Sequence, residues 1–227
     1  MTQRKIFITG TDTDVGKTFF TTALITALQN KKQSVMAIKP VAAGCELIDN
    51  TLKNEDALNI IEVLSESVAY QDVNPIALTK AIAPHISASE EGLELSVKAL
   101  QQACDLSNYS QSYILIEGAG GWLVPLNKSE TFADYVKAET LDVILVVGMR
   151  LGCINHALLS QQSILSCGLN LVGWVANHID TQMQNQRQNL ETLTKRLNCP
   201  LIAQIPYCEG DNAVSQASTY VRIDALS

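Results

Sequence analysis

Apolar residues fall in short, uninterrupted runs along the chain. These are Lys5–Thr9 (KIFIT), Ser34–Lys39 (SVMAIK), Tyr113–Glu117 (YILIE), Val143–Gly148 (VILVVG), Leu171–Ala176 (LVGWVA) and Leu201–Ile205 (LIAQI). Continuous rather than alternating apolarity predicts strands covered on both faces, as in a parallel sheet. Tyr220–Ile223 predicts a short last strand. Helical stretches lie between the runs: Lys17–Gln29, Glu55–Leu64, Glu90–Ala103, Thr131–Ala138, Ile154–Ser166 and Gln182–Leu197, the first placing Phe20, Leu24 and Leu28 on one stripe. Strand–helix alternation predicts a doubly wound α/β fold with a mainly parallel sheet of about seven strands flanked by helices. Residues 66–92, with Pro75 and Pro84, read as irregular. No linker, repeat or low-complexity tract divides the chain, which predicts a single domain over 1–227.

Composition narrows the functions available. With 16 Lys+Arg against 23 Asp+Glu the formal net charge is −7, so there is no net positive field to attract nucleic acid or an anionic membrane. A small phosphorylated ligand needs only a local site and stays open. No run approaches the roughly 18 apolar residues of a membrane span, and Met1–Lys5 leads into the first strand without a signal-peptide pattern. The six cysteines (45, 104, 153, 167, 199 and 208) form no C-x-x-C pair. A cytoplasmic protein with reduced cysteines is expected.

The segment Gly10-Thr11-Asp12-Thr13-Asp14-Val15-Gly16-Lys17-Thr18 follows a predicted strand and opens a predicted helix. That is the setting of a phosphate-binding loop, where backbone N–H groups at a helix start offer partial positive charge. Gly16 permits close approach, Lys17 can reach terminal phosphates, and the Thr18 hydroxyl can ligate Mg²⁺. The match to G-x-x-x-x-G-K-[ST] is offset by one residue, because Thr11 stands at the first glycine position, and Asp12 and Asp14 make the loop acidic.

Other residues gather at strand ends, the edge where open α/β sheets bind ligands. Glu117 precedes Gly118-Ala119-Gly120-Gly121 and is placed to hold Mg²⁺. Asp56 lies near a helix start, where an acid also serves the helix dipole. Lys39 closes the second strand, either to stabilise a transferring phosphoryl group or as a solvated strand end. Asn177, in Ala176–Asp180, has donors and an acceptor suited to a nucleobase edge, and its N-x-x-D spacing resembles the guanine-reading motif of GTPases with His178 in place of Lys. His156 lies in Leu151–His156 at a predicted helix start, either a place where exposed N–H groups hold a carboxylate or an ordinary helix entry, and His85 lies in the irregular segment as a loop residue.

Taken together, Gly10–Thr18 (GTDTDVGKT), Lys39–Gly44 (KPVAAG), Asn54–Ala57 (NEDA), Ala83–Ser87 (APHIS), Glu117–Pro125 (EGAGGWLVP), Val143–His156 (VILVVGMRLGCINH) and Gly173–Asn177 (GWVAN) resemble the ATP-dependent dethiobiotin synthase family. The resemblance covers nearly the whole chain and implies a P-loop NTPase-like fold. It implies MgATP-dependent carboxylation of 7,8-diaminononanoate with CO₂ and closure of a cyclic urea, through a carbamate and a carbamic–phosphoric anhydride. It assigns nucleotide contacts to Asp14, Val15, Gly16, Lys17, Thr18, Phe19, Asp56, Glu117, Gly118, Ala119, Gly120, Asn177, His178, Pro206, Tyr207, Cys208 and Asp211, and Mg²⁺ to Thr18, Asp56 and Glu117. Lys39 and Lys17 become catalytic. Thr11, Asp12, Lys39, Ala43 and Gly120 become substrate contacts, together with Leu151, Gly152, Cys153 and Asn155 reached across a homodimer interface.

Three positions depart from the family pattern: Ala43 where Ser is usual, His178 where an acid often follows Asn177, and Asp211 where Glu is usual. The competing class is a nucleotide-switch ATPase acting on a protein partner. Against it, Thr11 and Asp12 stand where such proteins carry a second lysine early in the loop.

Overall fold

A computed structural model describes residues 3–226. Met1, Thr2 and Ser227, which belong to the 1–227 span and in part to the N-terminal run read above, lie outside the described residues. The six long apolar runs form one sheet: β1 (Arg4–Gly10), β2 (Val35–Ile38), β3 (Tyr113–Glu117), β4 (Asp142–Gly148), β5 (Leu171–Asn177) and β6 (Leu201–Ile205). Its order is β6-β5-β4-β1-β3-β2 and every pairing is parallel. The apolar residues of β1, β3 and β4 are shielded on both faces, which is why their sequences do not alternate.

The chain leaves β1 toward the β2 edge, returns to β3, and crosses over β1 to β4. This reversal brings the carboxyl ends of β1, β3 and β4 together, the place where open sheets form ligand crevices. Register sets the contacts there. Ile8 pairs with Glu117, Gly10 with Val146, and Gly148 with Asn177.

Helices pack around the sheet, among them α1 (Lys17–Asn30), α2 (Glu55–Val63), α3 (Phe132–Ala138), α4 (Cys153–Ser166) and α5 (Gln186–Arg196). The predicted Phe20–Leu24–Leu28 stripe of α1 is fully buried, but so are Ala23 and Ile25. The helix is covered beyond that stripe because α2 and the short helix Ala213–Ser218 also pack on it.

Several expectations change. Tyr220–Ile223 is not a strand; it makes one antiparallel bridge, Ala203 to Val221, before a 3₁₀ turn at Ile223–Leu226, leaving six strands in the sheet. The helix expected over Glu90–Ala103 is two, Pro84–Glu90 and Val97–Ala103. Gly92 at φ +73° ends the first, and the Ser96 side chain caps the second by accepting from the Ala99 N–H. The last long helix starts at Gln186, after Asn185 in the left-handed region, rather than at Gln182.

Residues 66–92 are organised by long-range pairing. They hold a one-turn helix, Tyr70–Val73, and a strand, Ile76–Leu78, that runs parallel to Val41–Ala43. A two-stranded hairpin, Glu46–Ile48 with Thr51–Lys53, turns through Asp49 and Asn50, both at positive φ. All six cysteines are free.

Candidate functional site

At the carboxyl edge, β1 ends in the loop predicted to bind phosphate, and the loop ends in α1. Gly16 is the residue before the helix, at φ +83°, and a Cβ there would collide with the Asn177 side-chain amide. Glycine is therefore required twice over, for the left-handed backbone and for the close approach. Asn177 Nδ2 donates to the Val15 carbonyl at 2.9 Å, tying the loop to the end of β5. The Thr11 N–H donates to the Val146 carbonyl at 2.9 Å, tying it to β4.

Beneath the loop lies a compact group of charges. Lys39 Nζ donates to Glu117 Oε1 at 2.6 Å and to the Gly118 carbonyl at 3.3 Å, and pairs with Asp56 Oδ2 at 2.9 Å. Thr18 Oγ1 donates to the same Glu117 oxygen at 2.7 Å. The Lys39 and Glu117 side chains are 5% and 0% exposed, whereas that of Asp56 is 40% exposed. Burial alone would lower the Lys39 pKa, but Glu117 and Asp56 outweigh it and hold the ammonium above its usual value. For Asp56, burial opposes ionisation and the Lys39 charge and the Thr18 hydroxyl overcome it, so its pKa is lowered.

Lys17 is in the opposite position. Burial first, then repulsion from Lys39, lowers its pKa to about 8 against the attraction of Glu117, Asp56 and Asp14. Its ammonium donates to the Asp12 carbonyl at 3.0 Å.

A cleft of about 840 Å³ opens over this group. Its lining includes Asp12, Asp14, Gly16, Lys17, Thr18, Phe19, Lys39, Ala43, Asp56, Ala119 and Gly120, all expected from the sequence. Glu117 and Gly118 lie beneath it, in contact with Lys39. Val15 is buried, and Thr11 is half-buried at the foot of the loop.

Other expected residues lie elsewhere. His178, Pro206 and Tyr207 line a second cleft of about 770 Å³ with Gln204 and Arg222. The His178 ring is near Gln204, and burial, partly opposed by Gln186, lowers its pKa. The lining of neither cleft includes Cys208 or Asp211. Leu151 and Gly152 lead into α4 and Cys153 and Asn155 lie in its first turn, all outside the lining of the 840 Å³ cleft, and Leu151 is 95% exposed.

Sequence reasoning missed several participants. Arg150 pairs with the Asp12 carboxylate across the top of β4. Ala81–Pro84, Val124 and Pro125 complete the cleft wall. Asn54 caps α2, its side chain accepting from the Asp56 N–H at 3.0 Å. A cation directly after an apolar strand at the ligand edge was a usable signal for Arg150; Ala83, Pro84, Val124 and Pro125 lay within the quoted motifs, whereas Ala81 and Ile82 carried no signal.

The oxygen set suits a hard divalent cation. Glu117 Oε2 is buried without a hydrogen-bond partner, the Thr18 hydroxyl donates to the other oxygen of the same carboxylate, and Asp56 shares the Lys39 ammonium with it. Two carboxylates and a hydroxyl, with phosphate oxygens and waters, match the usual Mg²⁺ environment at a nucleotide.

Residues 4–213 match the family described as AAA domain. The chain is 47% identical over 206 residues to the ATP-dependent dethiobiotin synthetase BioD of Cellvibrio japonicus, covering 91% of this chain and 90% of that protein. It is 44% identical to the same-named protein of Pseudoalteromonas translucida, over 91% of each chain. The chain belongs to the dethiobiotin synthetase family. A Pseudomonas aeruginosa dethiobiotin synthetase is 47% identical over 89% of this chain and 90% of its own length.

Among solved structures, a ParA-family ATPase from Chlorobium tepidum aligns with a TM-score of 0.58 at 14% identity, covering 97% of this chain and 90% of its own. MinD from Aquifex aeolicus aligns at 0.54 and 20%, covering 97% and 88%. These likenesses establish the P-loop NTPase-like fold. The synthetase relatives favour a small-molecule ligase over the nucleotide-switch alternative.

Proposed function

We propose the following division of labour for this ATP-dependent dethiobiotin synthetase, whose reaction belongs to biotin biosynthesis. One amine of 7,8-diaminononanoate adds to CO₂, giving a carbamate. A carbamate oxygen attacks the γ-phosphorus of ATP, ADP leaves, and a carbamic–phosphoric anhydride results. The second amine attacks the anhydride carbonyl, the C–O bond to phosphate breaks, and the five-membered ureido ring closes with loss of two protons overall. Phosphorylation converts a poor electrophile into one with a good leaving group, and two amines on one molecule make the closing step intramolecular.

The observation that carries this reading is the buried ammonium of Lys39 held between Glu117 and Asp56 at the floor of the phosphate cleft. A cation fixed there stabilises negative charge that develops on the transferring phosphoryl group and carbamate without reorganising at the moment of reaction. Lys17, now hydrogen-bonded to the loop's own carbonyl, turns to the β- and γ-phosphates. Thr18, Asp56 and Glu117 would hold Mg²⁺, which when bound neutralises charge on the phosphates. Asp14–Phe19 and Gly118–Gly120 surround the triphosphate, and Asn177 and Pro206–Cys208 receive the base, with His178 and Asp211 nearby. Thr11, Asp12 and Ala43 face the diamine.

The substrate carboxylate is received at the start of α4 of a second copy. Support comes from Leu151, 95% exposed just before that helix, and Leu159, 57% exposed on it, apolar surface that a second copy would cover. A cytoplasmic homodimer is the form we propose; among the described residues no helix is long and apolar enough to cross a membrane. The test measures ADP release with MgATP, bicarbonate and 7,8-diaminononanoate, omitting each in turn. Release that depends on all three is expected, and release indifferent to the diamine sinks the reading.

A further inference from the structure

A line of hydrogen bonds joins the backbones of Lys39 and Asp56 through Tyr70 and Asn74, which are assigned no role above, and through Asn54, the cap of α2. Asn74 is 2% exposed, and its Nδ2 donates to the Lys39 carbonyl at 2.7 Å. Tyr70 Oη donates to Asn74 Oδ1 at 2.8 Å and accepts from the Asn54 N–H at 2.7 Å. The Asn54 side chain accepts from the Asp56 N–H at 3.0 Å, and its Nδ2 donates to the Ala43 carbonyl at 3.4 Å. The Lys39 N–H, in turn, donates to the Val73 carbonyl at 2.7 Å.

Direction along this line is determined. Asn74 must present its amide nitrogen to the Lys39 carbonyl, which leaves its oxygen toward Tyr70. Tyr70 must therefore donate its proton there, and its lone pair is left for the Asn54 N–H. Each group has one role, so the line has one arrangement, and breaking it strands polar groups in a largely buried place.

We propose that Tyr70 and Asn74 are positioning residues for the phosphoryl-transfer chemistry, setting the separation of Lys39 from Asp56 through this relay. The proposal rests on the reading above that Lys39 and Asp56 act in the reaction. The backbone of Lys39 is at the end of β2 and that of Asp56 begins α2, two elements with no direct strand or helix continuity. Without the relay, their 2.9 Å side-chain contact would depend on a partly exposed carboxylate in the first turn of α2. The phosphate loop hangs from β1, β4 and β5 instead, through Thr11 and Asn177. Loss of the relay therefore disturbs the Lys39–Asp56 pair and leaves the loop's own anchors in place.

The test compares Tyr70→Phe with Tyr109→Phe. The Tyr109 hydroxyl donates to the Asp72 carbonyl of the same one-turn helix at 3.4 Å, outside the relay, and controls for general loosening of that segment. With 7,8-diaminononanoate saturating, Tyr70→Phe is expected to lower kcat about tenfold or more, as small misplacements of reacting groups do. Its KM for ATP should stay within about twofold of the parent, and Tyr109→Phe should leave both constants near the parent. A kcat for Tyr70→Phe within twofold of the parent overturns the proposal. So does an ATP KM that deteriorates in step with kcat, or an equal loss in Tyr109→Phe. Lys39→Ala, run alongside, separates the two layers: if that variant keeps turnover, the functional reading fails, and if it loses turnover while Tyr70→Phe does not, only the relay fails.

Discussion

Lys39 and Glu117 lie 78 residues apart in sequence and meet at 2.6 Å under the phosphate loop, both shielded from solvent. The pair has two consequences that separate on mutation. On the proposed mechanism Lys39→Ala removes the cation that would face the transferring group, so turnover should be nearly abolished while ATP affinity changes little, because the loop backbone and Lys17 would still hold the phosphates. It also leaves Glu117 as an uncompensated buried charge, and breaking such pairs costs about 3–5 kcal/mol. The unliganded variant should therefore melt several degrees lower, as read by thermal denaturation. Near-normal turnover would remove Lys39 from the chemistry; an unchanged melting temperature would mean Glu117 is not left charged and unpaired.

Lys17 sets a pH dependence of opposite kind. Its pKa in the folded protein is about 8, below the usual 10.5. Between those values the unfolded chain binds more protons than the folded one, so the unliganded protein should gain stability as pH rises across that window. ATP binding needs the ammonium and should draw a proton onto Lys17 at pH 8–9. Calorimetry in buffers of different ionisation enthalpy reads that uptake, and Lys17→Met should abolish both the uptake and the stability slope. Proton release on binding would contradict the assignment.

How much of this was visible in the chain follows from what each feature depends on. The six strands of the sheet and the loop between β1 and α1 rest on local signals, uninterrupted apolar runs and the G-K-T tripeptide, and both are where the sequence places them. Glu117 at a strand end was also legible, because register carries a strand-end acid to the edge where the loop lies. The Tyr220–Ile223 run is not a strand because its only ladder contact among the described residues is a single bridge from Val221 to Ala203. Residues 66–92 looked irregular because their order comes from partners far away, such as Val41–Ala43 and Lys39, and no local period records that. Arg150 stood in a legible place just past the end of β4, but its pairing with Asp12, 138 residues away, left no local mark.

Gly16 and Asn177 meet too closely for any side chain at position 16. Gly16→Ala should abolish ATP binding while the sheet stays folded, since the clash and the left-handed backbone fall on the loop alone. Asn177→Ala separates two roles. The Asn177 amide already donates to Val15, so the residue clamps the loop whatever base it meets. If clamping dominates, the variant should weaken ATP and inorganic triphosphate binding by similar factors, about 5- to 30-fold for a lost buried hydrogen bond of 1–2 kcal/mol. If base reading dominates, triphosphate binding is spared and the ranking of ATP, GTP and CTP as substrates changes. Equilibrium binding of the four ligands distinguishes these outcomes.

Arg150 holds the Asp12 carboxylate at the mouth of the cleft, where Asp14, Lys17, Lys39 and Asp56 are the other charged groups of the lining. An amine must be neutral to add to CO₂. A bare carboxylate beside it would favour the ammonium and delay reaction to higher pH. Arg150 offsets that charge. Arg150→Met should therefore move the rising limb of kcat/KM for the diamine to higher pH, by less than about one unit because both side chains are partly exposed, and added salt should shrink the shift. Arg150→Lys should keep the parent profile, since the compensating charge is retained. The double variant Asp12→Asn/Arg150→Met should return the limb toward its original position, because the carboxylate that disfavoured the neutral amine is gone. A profile that stays put in Arg150→Met would show that the diamine's amines do not sense Asp12, and the loop's acidity would then need another reason.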